Sequence, residues 1–391
     1  VERKGSGHPD TLADGLAEHL SVEYSLYTKN KFGVVLHHNF DKVGLLGGSS
    51  YVRFLAGHIE NPIKVLLNGR ASTKFGDTAI PVRDLLTHWS IDYLSRKLPL
   101  VNPKKDFEIH YNLSNKSSPG KTDLENVEEE GTRKYWFEPR DEDDIQELQK
   151  LLSNDTSLGV GFYPLTRLEN FVLTIEDYLS SEEMKKESKW LGTDIKIMGL
   201  RDENTFDITM CIPQISRFVK DVEEYKINLQ KAKEVVFRLA KEQGVGNIDL
   251  HLNTRDNFKT GELYLTAIGS SIESGDEGLV GRGNRINGLI TPFRLMSMEG
   301  ACGKNPVYHI GKIYYIAAIE LAKSIYSKFG IRCETGIISQ SGRLLSDPWV
   351  VYVGIPESFE EIEKLGSFVK SEIKKIPQIT KGVLERNYRL Y

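Results

Sequence analysis

The chain has 391 residues, 51 Lys and Arg against 55 Asp and Glu, a net charge of −4 and a pI near 6.2. Near-balanced charge excludes bulk attraction to nucleic acid or to an anionic membrane, so any basic function has to be local. No apolar run approaches the roughly 18 residues that a membrane-spanning helix needs, and Cys211, Cys302 and Cys333 lack the paired spacing of a disulfide framework or a zinc knuckle, which makes a reducing cytoplasm the expected compartment.

By length the chain suggests two or three domains. No signal peptide is visible, and the chain opens at Val1 without a methionine, so further N-terminal sequence is expected. After Gly5-Ser6-Gly7-His8-Pro9-Asp10, the residues Leu12, Ala13, Leu16, Leu20 and Tyr24 fall on one helical face. They predict a helix from Asp10 or Thr11, with His8 and Asp10 at its N-terminus. Residues 34–48 read as strand and turn, in which the adjacent His37 and His38 point to opposite faces and cannot both enter one site. Further strand pairs are predicted over 194–212, with a turn at Asp202-Glu203-Asn204, over 247–268 and over 333–353. Helices follow over 82–94, 215–225 with 229–243, 307–329 and 359–375. Strand pairs with covering helices imply sheets with helices on one face, in several similar units. Between 102 and 154 the composition turns to Lys, Ser, Gly, Asp and Glu, which reads as an exposed insertion with a short helix over 143–152. Asn154-Asp155-Thr156-Ser157 then leads into a strand, and Asp155 reads as a turn cap in preference to a ligand contact.

The glycine-rich stretch 275–312 carries Arg282, Arg285, Arg294, Lys304 and Lys312, so backbone amides and cations can both approach a polyphosphate. Apolar Leu279, Val280, Leu289, Ile290, Leu295, Met296 and Met298 between the glycines favour an ordered loop over a solvated linker. Asn305-Pro306 reads as the cap and first position of the next helix, with Lys304 at its positive end. Pro119-Gly120-Lys121-Thr122 resembles the end of a P-loop, but Asn115 stands where that motif has its leading glycine, which rules out a Walker ATPase. His8-Pro9-Asp10 offers a hydrogen-bond donor for an oxyanion and a carboxylate for a hard cation such as Mg²⁺. A surface histidine beside a capping aspartate is the plainer reading; the coexisting cationic loop tips the balance.

GSGHPD (5–10), HHNFDK (37–42), NDTSLGVGF (154–162), GDEGLVGRGNRINGLITP (275–292) and GKNPVYHIGK (303–312) together resemble S-adenosylmethionine synthetases of the archaeal type, in order along the chain. The resemblance implies an α/β fold of three similar β-α-β-β-α-β units about a pseudo-threefold axis, with sheets covered by helices on the outer face. The units are expected near 1–115, 116–245 (with the insertion near 116–150) and 246–391. It implies a homodimer with active sites between subunits, ATP and L-methionine as substrates, Mg²⁺ as cofactor and K⁺ as a further cation. Methionine sulfur would attack the ribose 5′ carbon, and the released tripolyphosphate would be split to pyrophosphate and phosphate. By position in the shared motifs, His8 would bond the leaving oxygen or adjacent phosphate, Asp10 would hold Mg²⁺, and Arg282 and Lys304 would hold the triphosphate with Arg285 and Lys312 as helpers. Asp276 would meet the methionine ammonium, Asp155 the ribose or methionine, and Gly120, Lys121, Thr122 and Asp123 the nucleotide. Thr11, His38, Ser49 and Gly283 depart from the bacterial and eukaryotic pattern. Thr11 replaces a phosphate-binding lysine, His38 a potassium-binding glutamate, Ser49 a glutamate near methionine and Gly283 a second basic residue, which touches the potassium site and the methionine pocket and leaves the transfer chemistry intact. A catalytically silent relative and an Mg²⁺-dependent triphosphate hydrolase stay open as alternatives.

Overall fold

The computed structural model describes residues 1–117 and 133–391. Three sheets, each with its own apolar core, account for most of the regular structure. In the first, Glu2–Lys4, Lys196–Asp202 and Thr205–Cys211 run antiparallel and Asn247–Leu252 adds in parallel. That parallel step needs a crossover, which the helix Val222–Glu242 supplies. It packs with Arg167–Leu179 over Ile197, Ile208 and Met210, while Met198 and Leu200 alternate to the open face.

The second sheet is centred on Ile63–Ala71, flanked on one side by His38–Asn39 and Gly44–Leu46 and on the other by Phe107–Ser114 in parallel. Glu277–Leu279 extends it beyond Gly44–Leu46. Pro9–Phe32 and the crossover helix Val82–Lys97 cover it. In the third sheet Leu158–Tyr163, Cys333–Ile338 and Val350–Gly354 are antiparallel beneath Ile310–Phe329 and Ile362–Ile373. A Cβ at Gly159 would lie 2.2 Å from the Tyr314 carbonyl carbon, so the strand can approach the helix this closely only as glycine. Residues 2–4 complete a sheet whose other strands begin at 196, and residues 158–163 one whose other strands begin at 333.

The predicted hairpins over 194–212 and 333–353 form, the first turning at Glu203, whose φ is 48°. Other expectations change. The helix expected from Asn305-Pro306 begins at Ile310, where the His309 ring accepts the Gly311 N–H. Asn305 is diverted because its amide donates to the Leu36 carbonyl while its carbonyl oxygen accepts from Val307 N–H. The two helices expected over 215–243 are one, Val222–Glu242, preceded by a turn at Ser216–Phe218 and capped by Asp221. Phe107–Ser114, expected within an exposed insertion, is a sheet strand. Phe137, Ile145 and Leu148 are also buried, the last two against Val35, Val307 and Tyr308. The short helix expected over 143–152 is a tight turn, Asp143–Ile145, running into Gln146–Lys150. Arg167–Leu179 was missed, although Thr166 and Glu169 form a reciprocal capping box legible in the sequence.

Candidate functional site

The helix Pro9–Phe32 organises the site. Its apolar face, Leu12, Leu16, Leu20 and Tyr24, is fully buried as the periodicity requires. A second stripe, Asp10, Asp14, Glu18 and Ser21, recurs at spacings of three and four and is buried too. Its partners are backbone groups of the glycine-rich loop. Asp10 Oδ1 accepts from Leu279 N–H at 3.0 Å, Asp14 Oδ1 from Gly281 N–H at 2.8 Å and Glu18 Oε2 from Gly303 N–H at 3.0 Å. Ser21 Oγ donates to the Lys304 carbonyl at 3.0 Å. One helix face thereby fixes both ends of the loop, which explains two glycines: a Cβ at Gly278 would lie 2.0 Å from the Pro9 carbonyl oxygen, and one at Gly283 2.2 Å from Asp14 Oδ2. The missing basic residue after Arg282 therefore has a steric cause.

His8 caps this helix, its Nδ1 accepting the Asp10 N–H at 3.2 Å. An amide can only donate, so the neutral ring carries its proton on Nε2 and remains a donor. Burial lowers the His8 pKa, against smaller opposing effects of Asp194 and Asp10, and keeps the ring neutral. The Gly5–Gly7 turn delivers it: Gly5 N–H and Gly7 N–H donate to the carbonyls of Ile195 and Thr193, extending the first sheet up to His8. His8 and Asp276 line one cavity of about 670 Å³ together with Asp194, Lys196, Tyr264 and Ser271. Ser271 Oγ lies 2.5 Å from Asp194 Oδ2 and 2.8 Å from Asp276 Oδ2, where its one proton serves one carboxylate at a time, and Tyr264 donates to Asp194 at 3.1 Å. Burial raises the Asp194 pKa, with the hydrogen bonds from Ser271 and Tyr264 acting against it. Asp194 and Lys196 were missed in the sequence; their i, i+2 spacing at a strand start was the available signal, since it puts both on one face.

Asp10 Oδ2 pairs with Lys4 Nζ at 2.8 Å, and Lys4 also donates to the Arg282 carbonyl. The Arg282 side chain is exposed. Arg285 is buried and donates to the carbonyls of Gly281 and Gly283 at 2.6 and 2.8 Å, so it shapes the loop from within. Lys312 is fully buried, with both Glu18 oxygens 2.7–2.8 Å from its ammonium.

Lys304 belongs to a second cluster. Its side chain is buried and its ammonium contacts the Glu299 carboxylate; burial lowers its pKa to about 8, with the Asp41 charge acting against it. Glu299 and Asp155 line a cavity of about 730 Å³ with Asp41, Lys42, Arg70 and His309. Asp155 Oδ1 accepts the Thr156 N–H at 2.7 Å, so the capping reading holds locally while the residue also faces the cavity. His38 is buried, with Nε2 2.8 Å from Ser21 Oγ and Nδ1 2.9 Å from the Leu36 carbonyl. Gly120, Lys121, Thr122 and Asp123 lie outside the described residues. The two cavities share no lining residue among those described. The 13 residues of chain from His8 to Ser21 amount to roughly 20 Å of helix.

The family model for S-adenosylmethionine synthetase (AdoMet synthetase) matches residues 1–387. The chain belongs to that family, the methionine adenosyltransferases. It is similar to the S-adenosylmethionine synthase of Pyrococcus furiosus, 39% identical over 391 aligned positions covering 98% of this chain and 93% of that one. The Methanocaldococcus jannaschii enzyme of the same name is 41% identical, over 89% of this chain and 83% of its own. In fold the chain resembles an unusual S-adenosylmethionine synthetase from Campylobacter jejuni, with a TM-score of 0.59 at 16% identity, covering 97% of this chain and 89% of that one. No helix of the synthetase-family chain is long and apolar enough to cross a membrane, among the described residues.

Proposed function

We propose that the protein makes S-adenosylmethionine from ATP and L-methionine and then hydrolyses the tripolyphosphate it has released. The sulfur lone pair forms the bond to the ribose 5′ carbon as the C5′–O bond breaks, leaving a sulfonium and carrying the bonding electrons away on the triphosphate. Such a displacement asks the protein to align the reactants and to neutralise the leaving polyanion. His8 Nε2–H is the donor to the leaving oxygen. Asp276 takes the methionine ammonium, braced through Ser271 by Asp194. Lys304, Arg282 and Lys196 meet the phosphates, and Asp155 with Gly120, Lys121, Thr122 and Asp123 faces the nucleoside. Arg285 and Lys312, expected as helpers on the triphosphate, act in this reading by holding the loop in shape.

Among the described residues no three His, Cys, Asp or Glu side chains converge as a metal site. Mg²⁺ does not demand one, because it commonly binds one or two carboxylates together with substrate phosphates. Asp10 fits that donor set, with Lys4 as the group its carboxylate exchanges for the ion. When bound, Mg²⁺ supplies Lewis-acid neutralisation of the leaving triphosphate. A potassium site has no carboxylate at His38 to draw on.

The observation that carries this reading is the separation of the expected residues into two clusters along one helix. The His8 cluster of one chain and the Lys304 cluster of another would complete a site, which calls for a homodimer with sites between subunits. The apolar Met198, Leu200, Leu46 and Leu279 on open sheet faces suit such pairing. In the same reading the three sheets with their helices are similar units about a pseudo-threefold axis, and the free thiols of buried Cys302 and Cys333 suit a reducing cytoplasm. Incubation of the purified protein with ATP, methionine and Mg²⁺ should yield S-adenosylmethionine, pyrophosphate and phosphate. Cleavage of tripolyphosphate without any S-adenosylmethionine would replace this reading with the hydrolase.

A further inference from the structure

Lys304 is a cation built for an anion and already has one. Its ammonium is only 3% exposed by residue, and its acidic contact is Glu299, whose side chain is 34% exposed and reaches in from the irregular stretch before Gly303. Both groups sit against the first turn of the 20-residue helix Ile310–Phe329: a Cβ at Gly311 would lie 2.5 Å from Glu299 Oε1 and 2.7 Å from Lys304 Nζ. The first-turn amides are already taken, Ile310 by Asn154 Oδ1 and Gly311 by His309 Nδ1, so the anion position is made by the buried ammonium and the room that Gly311 leaves for an oxygen. Glu299 fills it.

On the reading that Lys304 meets the triphosphate, we propose that Glu299 is a resident stand-in for a phosphate: lining the cavity in front of Lys304, it neutralises the buried ammonium, and the incoming polyphosphate displaces it. A carboxylate left in place would repel the ligand, so it must move. The segment that carries it can give way at little packing cost, because Phe293 and Met298 are each 93% exposed. Its ties lie mainly at its start, where Arg294 pairs with Glu169 at 3.3 Å and stacks on the Phe162 ring at 3.9 Å and Leu295 packs on the third core, while next to Glu299 the tie is its own N–H to Ser297 Oγ at 3.1 Å. Glu299 is thus a positioning residue that sets the cost of phosphate entry.

Titration of the full-length chain with sodium tripolyphosphate, followed by calorimetry, tests this in the wild type, Glu299→Gln, Lys304→Gln and the double variant. Loss of a half-exposed competing ion pair should tighten binding by Glu299→Gln about three- to tenfold. The gain should vanish in the Lys304→Gln background. The KM for ATP should fall in parallel without a rise in kcat, and Glu299→Asp should behave as wild type. Equal or weaker binding by Glu299→Gln, where the wild type binds through Lys304, overturns the stand-in. Unchanged binding by Lys304→Gln overturns instead the assignment of Lys304 to the triphosphate. Should Glu299→Gln melt early, Glu299→Ala carries the same expectation, since it too removes the carboxylate.

Discussion

The two cavities are built from different materials. At the His8 cavity the first sheet brings His8 beside Asp194, and Tyr264, Asp194, Ser271 and Asp276 lie within hydrogen-bond distance along one chain of contacts. The other cavity is lined by strand residues Asn39, Asn68 and Arg70 together with loops, and Glu299 in its wall holds the buried Lys304 ammonium behind it. In the proposed reading a pre-bonded pocket suits the fine placement of a small zwitterion and a leaving oxygen. A cavity bordered by a buried, already paired cation suits a large anion that has to enter and depart. Each holds half of what the displacement needs.

The sharpest way to break this division is to mix subunits. Lys304→Met and His8→Ala should each lower S-adenosylmethionine formation by roughly 10²-fold or more, as loss of one preorganised donor to a developing oxyanion does. If sites form between chains, a heterodimer of the two variants restores one intact site and regains up to about half the wild-type rate in a co-expression assay. No recovery would put His8 and Lys304 in the same site of one chain. Within the His8 half, His8→Ala should suppress adenosyl transfer far more than tripolyphosphate cleavage, because only the transfer develops charge on the leaving oxygen; equal losses in the two assays would contradict that role.

The Lys304 half should show itself in pH dependence. Burial lowers its pKa to about 8 and the Glu299 carboxylate against it acts upward, so the ammonium is lost only as pH rises past that value. The KM for ATP should climb above pH 8, by up to about tenfold per pH unit, and Lys304→Arg should abolish the climb because guanidinium stays charged. A smaller effect concerns the fold around both halves. His37 and His38 have pKa values lowered to about 3, and His19 to about 4, by burial. Below pH 6.5 the unfolded chain takes up protons that these rings refuse, so stability present above 6.5 is lost as pH falls toward 4, at up to ~1.4 kcal/mol per pH unit for each ring. Asp14, raised to about 7 from 3.8, opposes this by one proton over that interval. Denaturant unfolding at pH 6.5 and 4.5 measures the slope, and a flat profile would contradict neutral burial of these rings.

Local chemistry wrote much of the plan into the sequence: the helix after His8, the hairpins over 194–212 and 333–353, the cationic glycine-rich loop, and motifs long enough to identify the family. These depend on period, turn residues and spacing, all properties of neighbours in the chain. What neighbours could not reveal was the use of the polar stripe Asp10, Asp14, Glu18 and Ser21 as a template for a loop nearly 300 residues away. Nor could they reveal the burial of Lys312 on Glu18, the diversion of Asn305 from a helix cap, or Glu299 on Lys304. The first two pair groups remote in sequence, and Glu299 and Lys304, five residues apart, meet only through the irregular path of the chain between them. Which polar side chain meets which is decided only when packed sheets and helices have fixed the distances, because an unpaired buried charge or amide takes whatever partner the fold brings within reach.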